Sequence, residues 1–382
     1  MQRKIPCAVM RGGTSRALFF RREDLPDQIE AQDAILLAAL GNPDPTARLV
    51  DGLGGPISST SKVAIIGARQ GEPDTIDYTF GQGSHTNARI DRSGNCGNIS
   101  SAVGPYAIDE GLVEAREPET LVRIYNTNTK KYIIAHVEVE GGKAKTTGDY
   151  AIAGVPGTGS RVALDFESPG GSRTGKLLPT GKPQEILETD FGAITVSLVD
   201  AANPLVFVRA RDLGLSGVEL PNQLDANKQL LARLENIRAH AAVKMGLARA
   251  VAEAMQKVQA VPKIAFVSAP VDYKMSTGLT MPAQAIDVVA RMLSMGLPHG
   301  AIPSTGAVGA AGAARIPGSV VNEMLSPARR ASALIRIGHP SGSIDVAVQM
   351  NFDGSEIRYE CGTIYRTARR SMDGFIYVPE NI

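Results

Sequence analysis

The chain has 382 residues, with 40 Lys and Arg against 39 Asp and Glu, and a formal charge of +1 leaves no electrostatic footprint for nucleic acid or an anionic membrane. At roughly 100 to 200 residues per domain, that length implies two domains and a cleft. The residues Ala, Val, Ile, Leu, Met, Phe, Trp, Tyr and Cys make up 43%, enough for packed cores, while 40 Gly and 23 Pro favour short strands joined by turns over a helical bundle.

Three cysteines, Cys7, Cys96 and Cys361, form an odd number with no close pair, which argues against a disulfide framework and for a reducing compartment. The histidines (His85, His136, His240, His299, His339) are scattered, and neither HExxH nor CxxC occurs, so no metal site is expected. The N-terminus lacks the apolar run of a signal peptide, and no run of about 18 apolar residues occurs. These features predict a soluble, cytoplasmic protein.

In chain order, a strand over 5–10 leads through Arg11-Gly12-Gly13-Thr14-Ser15-Arg16 into a second strand over 17–20, a hairpin. Its tip carries hydroxyls, guanidinium groups and backbone N–H groups. It is either an anion holder or a solvated turn. Helical periodicity over 23–40 stops at Gly41-Asn42-Pro43. A Gly- and Ser-rich loop then places Lys62 at the mouth of an apolar strand over 63–66. Such a lysine reaches solvent or, if desolvated, has a lowered pKa and can act as a base.

The stretch 92–110 carries Cys96 in a loop with Gly94 and Gly97, running into small and apolar residues that read as a buried helix. Helix N-termini attract anions and favour thiolate. Cys96 is therefore either a reactive sulfur beside a carboxylate cradle or a small buried residue in a tight turn. Alternating strands over 120–126 and 132–140 follow, with Asn126-Thr-Asn-Thr as their turn. The region 153–176 reads as surface loop, and Gly181-Lys-Pro-Gln marks a domain boundary, giving lobes over 1–183 and 184–363 with 364–382 returning to the first.

The second half repeats the order of elements without repeating residues. Strands are expected over 194–199 and 205–209, helix over most of 223–257, and a strand over 264–267 followed by a loop with Lys274. A second buried-type helix, rich in Ala and Gly, follows Pro298-His299, with Ser304-Thr305-Gly306 where the first half has Cys96-Gly97-Asn98. Closing strands are expected over 333–337, 344–350 and 356–359.

Arg11-Gly-Gly-Thr-Ser, the Ser58-to-Lys62 loop, Cys96-Gly-Asn, Asp200-Ala-Ala-Asn-Pro, Pro298-His, Thr305-Gly-Ala, Gly338-His-Pro-Ser-Gly and Arg366-Thr-Ala-Arg-Arg together resemble the 2-methylaconitate isomerase (PrpF) family. That family includes methylitaconate and 4-oxalomesaconate isomerases. The resemblance spans essentially the whole chain. It implies an α+β, diaminopimelate-epimerase-like fold: two pseudo-symmetric domains, each a curled, barrel-like antiparallel sheet around a central helix. Those epimerases use a cysteine from each half, whereas this sequence has Ser304 at the second place, which speaks against a symmetric two-thiol racemase.

The resemblance further implies a cofactor-free, metal-free isomerase of unsaturated di- or tricarboxylates, acting by allylic proton shift or cis–trans isomerisation. Lys62 is the expected base and Cys96 its acid partner. Gly97, Asn98, Thr305 and Gly306 are the expected anion donors. Arg11, Gly12, Thr14, Ser15, Ser61, Lys274, His299 and Ser304 complete the substrate contacts. A homodimer is compatible with this assignment. An amino- or hydroxy-acid epimerase and a non-catalytic carboxylate-binding protein are the competing expectations.

Overall fold

Gln2–Gly12 pairs antiparallel with Ser15–Arg21, closing the expected hairpin with Gly12 opposite Ser15. This is a computed structural model that describes residues 1–46, 48–84, 87–354 and 356–380; His85 lies outside the described residues. The chain divides into two units, Met1–Leu164 with Arg366–Ile382, and Asp165–Tyr365. Residues 165–183, placed before the boundary by sequence, lie with the second unit because their backbone is anchored there. The Ser168 N–H donates to Glu360 O, and the Gly171 N–H to Asp200 O, both at 2.8 Å. The Asp200 carboxylate also accepts the N–H groups of Arg173 at 2.8 Å and Thr174 at 2.7 Å.

The fold is α+β, and the two units share one order of elements. In the first, helix Ile29–Leu40 connects Ser15–Arg21 to a parallel partner, Lys62–Ala68, which pairs antiparallel with Thr75–Gly83. Helix Gly97–Asp109 then connects Thr75–Gly83 to its own parallel partner, Glu119–Asn126, which turns back into Lys131–Glu140. In the second unit, Ile194–Ala201 and Asn203–Arg209 form the hairpin, and helix Lys228–Lys244 leads to Lys263–Ser268. Val288–Ser294, helix Ser304–Arg315 and Leu334–His339 follow in the same sense, before Gly342–Asp353. Most strand pairs are antiparallel. The parallel ones occur where a helix makes the crossover that parallel pairing requires.

Alternation of side chains gives each sheet two covered faces. Val63, Ile65 and Ile90 pack with Ile35, Leu36 and Leu40 of the outer helix. The other face is covered by Gly97–Asp109, in which every residue from Gly97 to Ile108 is buried. In the second unit Ser304 to Ala314 are all buried in the same way. Small side chains permit this, since a helix enclosed on all sides has no polar face to offer water.

Several elements differ from the sequence expectation, among them the region 153–176, read as surface loop, which contains the strand Val162–Glu167 with Val162, Leu164 and Phe166 buried. The first helix begins at Ile29, not 23, because Leu25 stands before Pro26 and takes an extended backbone (φ −116°, ψ 149°). The long helical region is three helices, Pro221–Ala226, Lys228–Lys244 and Val251–Lys257, interrupted at Asn227 and at Gly246, whose φ is +74°. A final strand, Ala368–Pro379, pairs antiparallel along the whole of Gln2–Gly12. Among the described residues no helix is long and apolar enough to cross a membrane.

Candidate functional site

Lys62 opens its strand directly opposite Gln82, so both side chains leave the sheet on the face that carries the buried helix. Only 6% of Lys62 is exposed. Nζ donates to Gln82 Oε1 at 2.5 Å and lies 5.1 Å from the centre of the Phe80 ring. The Cys96 sulfur is near enough to act on the amine electrostatically. Burial pulls the Lys62 pKa below that of an ordinary lysine, against the opposing pull of the Cys96 sulfur.

Cys96 is the N-cap of Gly97–Asp109, in extended conformation (φ −117°, ψ 96°). Its carbonyl accepts the Ser100 N–H at 2.9 Å and so begins the helix. The first N–H groups of the helix then have no carbonyl within it to accept them, leaving a positive end beside the thiol. The preceding loop is held from below by the turn after Glu119–Asn126. Asn126 Nδ2 donates to Asn95 Oδ1 at 3.3 Å, and Asn128 Nδ2 to Arg92 O at 2.9 Å. The Tyr78 hydroxyl donates to Cys96 O at 3.4 Å, and burial, with the nearness of the Cys96 sulfur, raises its pKa well above that of a free phenol.

The hairpin tip sits on the same helix start. A Cβ on Gly12 would lie 2.3 Å from Asn98 O, and one on Gly13 2.3 Å from Asn98 Oδ1, so only glycine admits this approach. Asn98 Nδ2 donates to Thr14 Oγ1 at 3.0 Å, and Asn98 Oδ1 accepts from Arg366 Nε at 3.1 Å, which fixes the orientation of the amide. Arg366 is buried, and burial lowers its pKa to about 10. Arg11 directs Nη1 to Gly13 O at 3.1 Å and Thr367 O at 2.8 Å, bracing the turn. Ser15 is 3% exposed, and its Oγ has no hydrogen-bond partner among the described residues. Ser61 is buried as well, and its carbonyl accepts Gln82 Nε2 at 2.7 Å.

The first unit thus brings together Lys62, Cys96, Gly97, Asn98, Gly12, Thr14, Ser15 and Ser61, with Arg11 as a brace. In the second unit Ser304, Thr305 and Gly306 form the buried start of Ser304–Arg315, and Thr305 Oγ1 accepts Asn203 Nδ2 at 2.9 Å. His299 is buried and its Nδ1 accepts the Ala301 N–H at 3.1 Å, which leaves Nε2 as the protonated nitrogen of the neutral ring. Lys274 is exposed on the two-stranded ribbon of Tyr273–Lys274 and Thr280–Met281, where Nζ donates to Thr280 Oγ1 at 2.9 Å. Gln82, Arg366 and the Asn126–Asn128 turn are parts of these arrangements to which sequence reasoning gave no site role. Their meaning comes from register and burial; the Arg366 motif and the Asn126 turn were visible as patterns, and Gln82 was not.

Two α+β units of this construction define an epimerase-like fold. The crystal structure of a hydroxyproline epimerase from Agrobacterium vitis matches at a TM-score of 0.54 over 99% of this chain and 94% of that one, at 13% identity. The crystal structure of methylitaconate-delta-isomerase matches at 0.78, with 45% identity, over 100% of this chain and 97% of that one. The 3-methylitaconate isomerase of Eubacterium barkeri is 47% identical over 99% of this chain and 98% of its own length. The 2-methyl-aconitate isomerase of Shewanella oneidensis is 39% identical over 99% and 98%. The profile described as PrpF protein matches residues 2–379. The chain belongs to the PrpF family and is an isomerase.

Proposed function

We propose that the enzyme moves a proton along the allylic system of an unsaturated di- or tricarboxylate of the methylitaconate or methylaconitate type, with Lys62 as base and Cys96 as acid, and with no cofactor or metal. The observation that carries this reading is that a buried amine and a buried thiol are partners at the start of a buried helix. Lys62, whose pKa burial lowers, takes the proton from the allylic carbon as the free amine. The electron pair spreads through the double bond into the conjugated carboxylate. Cys96 delivers its proton to the far end of the allyl unit, leaving ammonium and thiolate in contact. Transfer from Lys62 to Cys96 then restores both groups, so atoms and charges balance within one turnover.

The carbanion is the costly species. Backbone N–H groups at a helix start offset that cost, at about 3 kcal/mol per donor in enzymes where one has been removed. The Ser15 hydroxyl, without a hydrogen-bond partner among the described residues, supplies a further donor for a substrate carboxylate. Rotation about the central bond while the charge is delocalised gives the cis–trans isomer from the same anion. The test is incubation with methylitaconate, methylaconitate, aconitate and oxalomesaconate in deuterated water, followed by proton NMR. Lys62→Met abolishes both turnover and deuterium entry, and Cys96→Ser slows turnover by about 10² to 10⁴ while keeping ligand affinity. Deuterium entry at the parental rate in Lys62→Met removes Lys62 as the base.

A further inference from the structure

Gln82 is the group in direct contact with Lys62 that carries no charge and takes no part in the proton transfers. Its amide is locked at both ends: Nε2 donates to Ser61 O at 2.7 Å and to Gly83 O at 3.4 Å, so Oε1 is the atom turned to Nζ at 2.5 Å. The antiparallel register opposes Lys62 and Gln82, and this geometry is built into the sheet. A neutral amine has two N–H groups and one lone pair. When Oε1 accepts one N–H, the lone pair is turned away from Gln82.

The other groups on this face are Cys96 from the helix start, Tyr78 and Phe80 from the strand of Gln82, and Asp91, which is paired with Gln82 on its far side. The Asp91 carboxylate accepts the Ser93 N–H at 2.7 Å. An amide oxygen accepts a hydrogen bond from amine and ammonium alike, whereas a carboxylate at the same place adds a charge that favours ammonium.

We propose that Gln82 is the positioning residue of the base: it turns the Lys62 lone pair away from its own amide, and as a neutral acceptor it leaves the amine free to give up its proton. This rests on Lys62 being the base, and the two ideas fail separately. Gln82→Glu keeps shape and acceptor and adds charge. Lysine labelled with carbon-13 at Cε reports the Lys62 titration directly, its signal assigned by its absence in Lys62→Met.

In Gln82→Glu the Lys62 midpoint rises by about 1 to 3 pH units, and the acid limb of the kcat profile moves up with it. A midpoint that rises while the limb stays put overturns Lys62 as base and leaves Gln82 as its holder. A midpoint that does not move overturns the role given to Gln82. Gln82→Met, which fills the space without an acceptor, lowers kcat by about tenfold or more with KM within about twofold. Parental kcat in that variant overturns the proposal even if Gln82→Glu fails to fold.

Discussion

Gly12→Ala tests whether the closeness of the hairpin tip to the helix start matters to the chemistry. The added methyl would stand 2.3 Å from Asn98 O and 3.1 Å from Ile99 Cα, against an ordinary contact of 3.4 Å or more. Both obstacles are backbone, so no side chain can swing aside, and hairpin and helix must part by about 1 Å. Overpacking of this kind costs about 1 to 3 kcal/mol. For a folding unit of this size, each kcal/mol lowers Tm by about 2 to 4 °C, giving a loss of about 2 to 12 °C. Displacement of the groups around Cys96 and Ser15 by about 1 Å lowers kcat by about 100-fold. Thermal melting followed by circular dichroism, together with initial rates on an unsaturated dicarboxylate, reads both. A variant with parental Tm and kcat refutes the argument that this contact sets the site.

Two further predictions concern buried titratable groups. In the second unit, burial would raise the Asp287 pKa, but hydrogen bonds from Arg329 and Arg336 outweigh it and hold the carboxyl at about 2, below the usual 3.8. A depressed pKa means stability that is fully present above pH 3.8 and lost as pH falls toward 2. Asp287→Asn therefore costs about 3 kcal/mol at pH 7, and the gap to the parent narrows between pH 4 and 2; a gap constant over that range in urea melts defeats the assignment. Burial pushes the Cys7 thiol up to about 12, against a weaker opposing backbone hydrogen bond at Phe19. Cys7 accordingly stays unlabelled by iodoacetamide at pH 8 in the folded protein and reacts once it is unfolded, and native-state labelling found by mass spectrometry contradicts this.

Much of the fold was legible because its signals are local. The turn at Gly12-Gly13, the stop at Gly41-Asn42-Pro43 and the small-residue runs after Cys96 and Ser304 each name an element by its own chemistry. Parallel pairing was not legible, since it depends on which strand a crossover helix returns to. The strand Ala368–Pro379 was missed because it shows no apolar alternation: Met372, Phe375 and Tyr377 are exposed beside Asp373 and Gly374. Within the site, Lys62 and Cys96 stand out by residue type, while Gln82 matters only through the residue across the ladder from it. Arg11 and Arg366 reverse what charge alone suggests. The former is occupied with backbone carbonyls, and the latter is the buried cation at Asn98.

The pairing of Gln2–Gly12 with Ala368–Pro379 has a consequence for biosynthesis. Ala368 lies opposite Gly12, and the Gly13 N–H reaches Thr367 O at 3.0 Å, so the tip against the helix start is latched by residues synthesised after the whole of the second unit. A nascent chain that has produced only Met1–Leu164 already contains its amine and thiol, yet lacks the strand that seats the turn beside them. The seat of the hairpin tip is therefore completed only once the second unit, Asp165–Tyr365, has been translated.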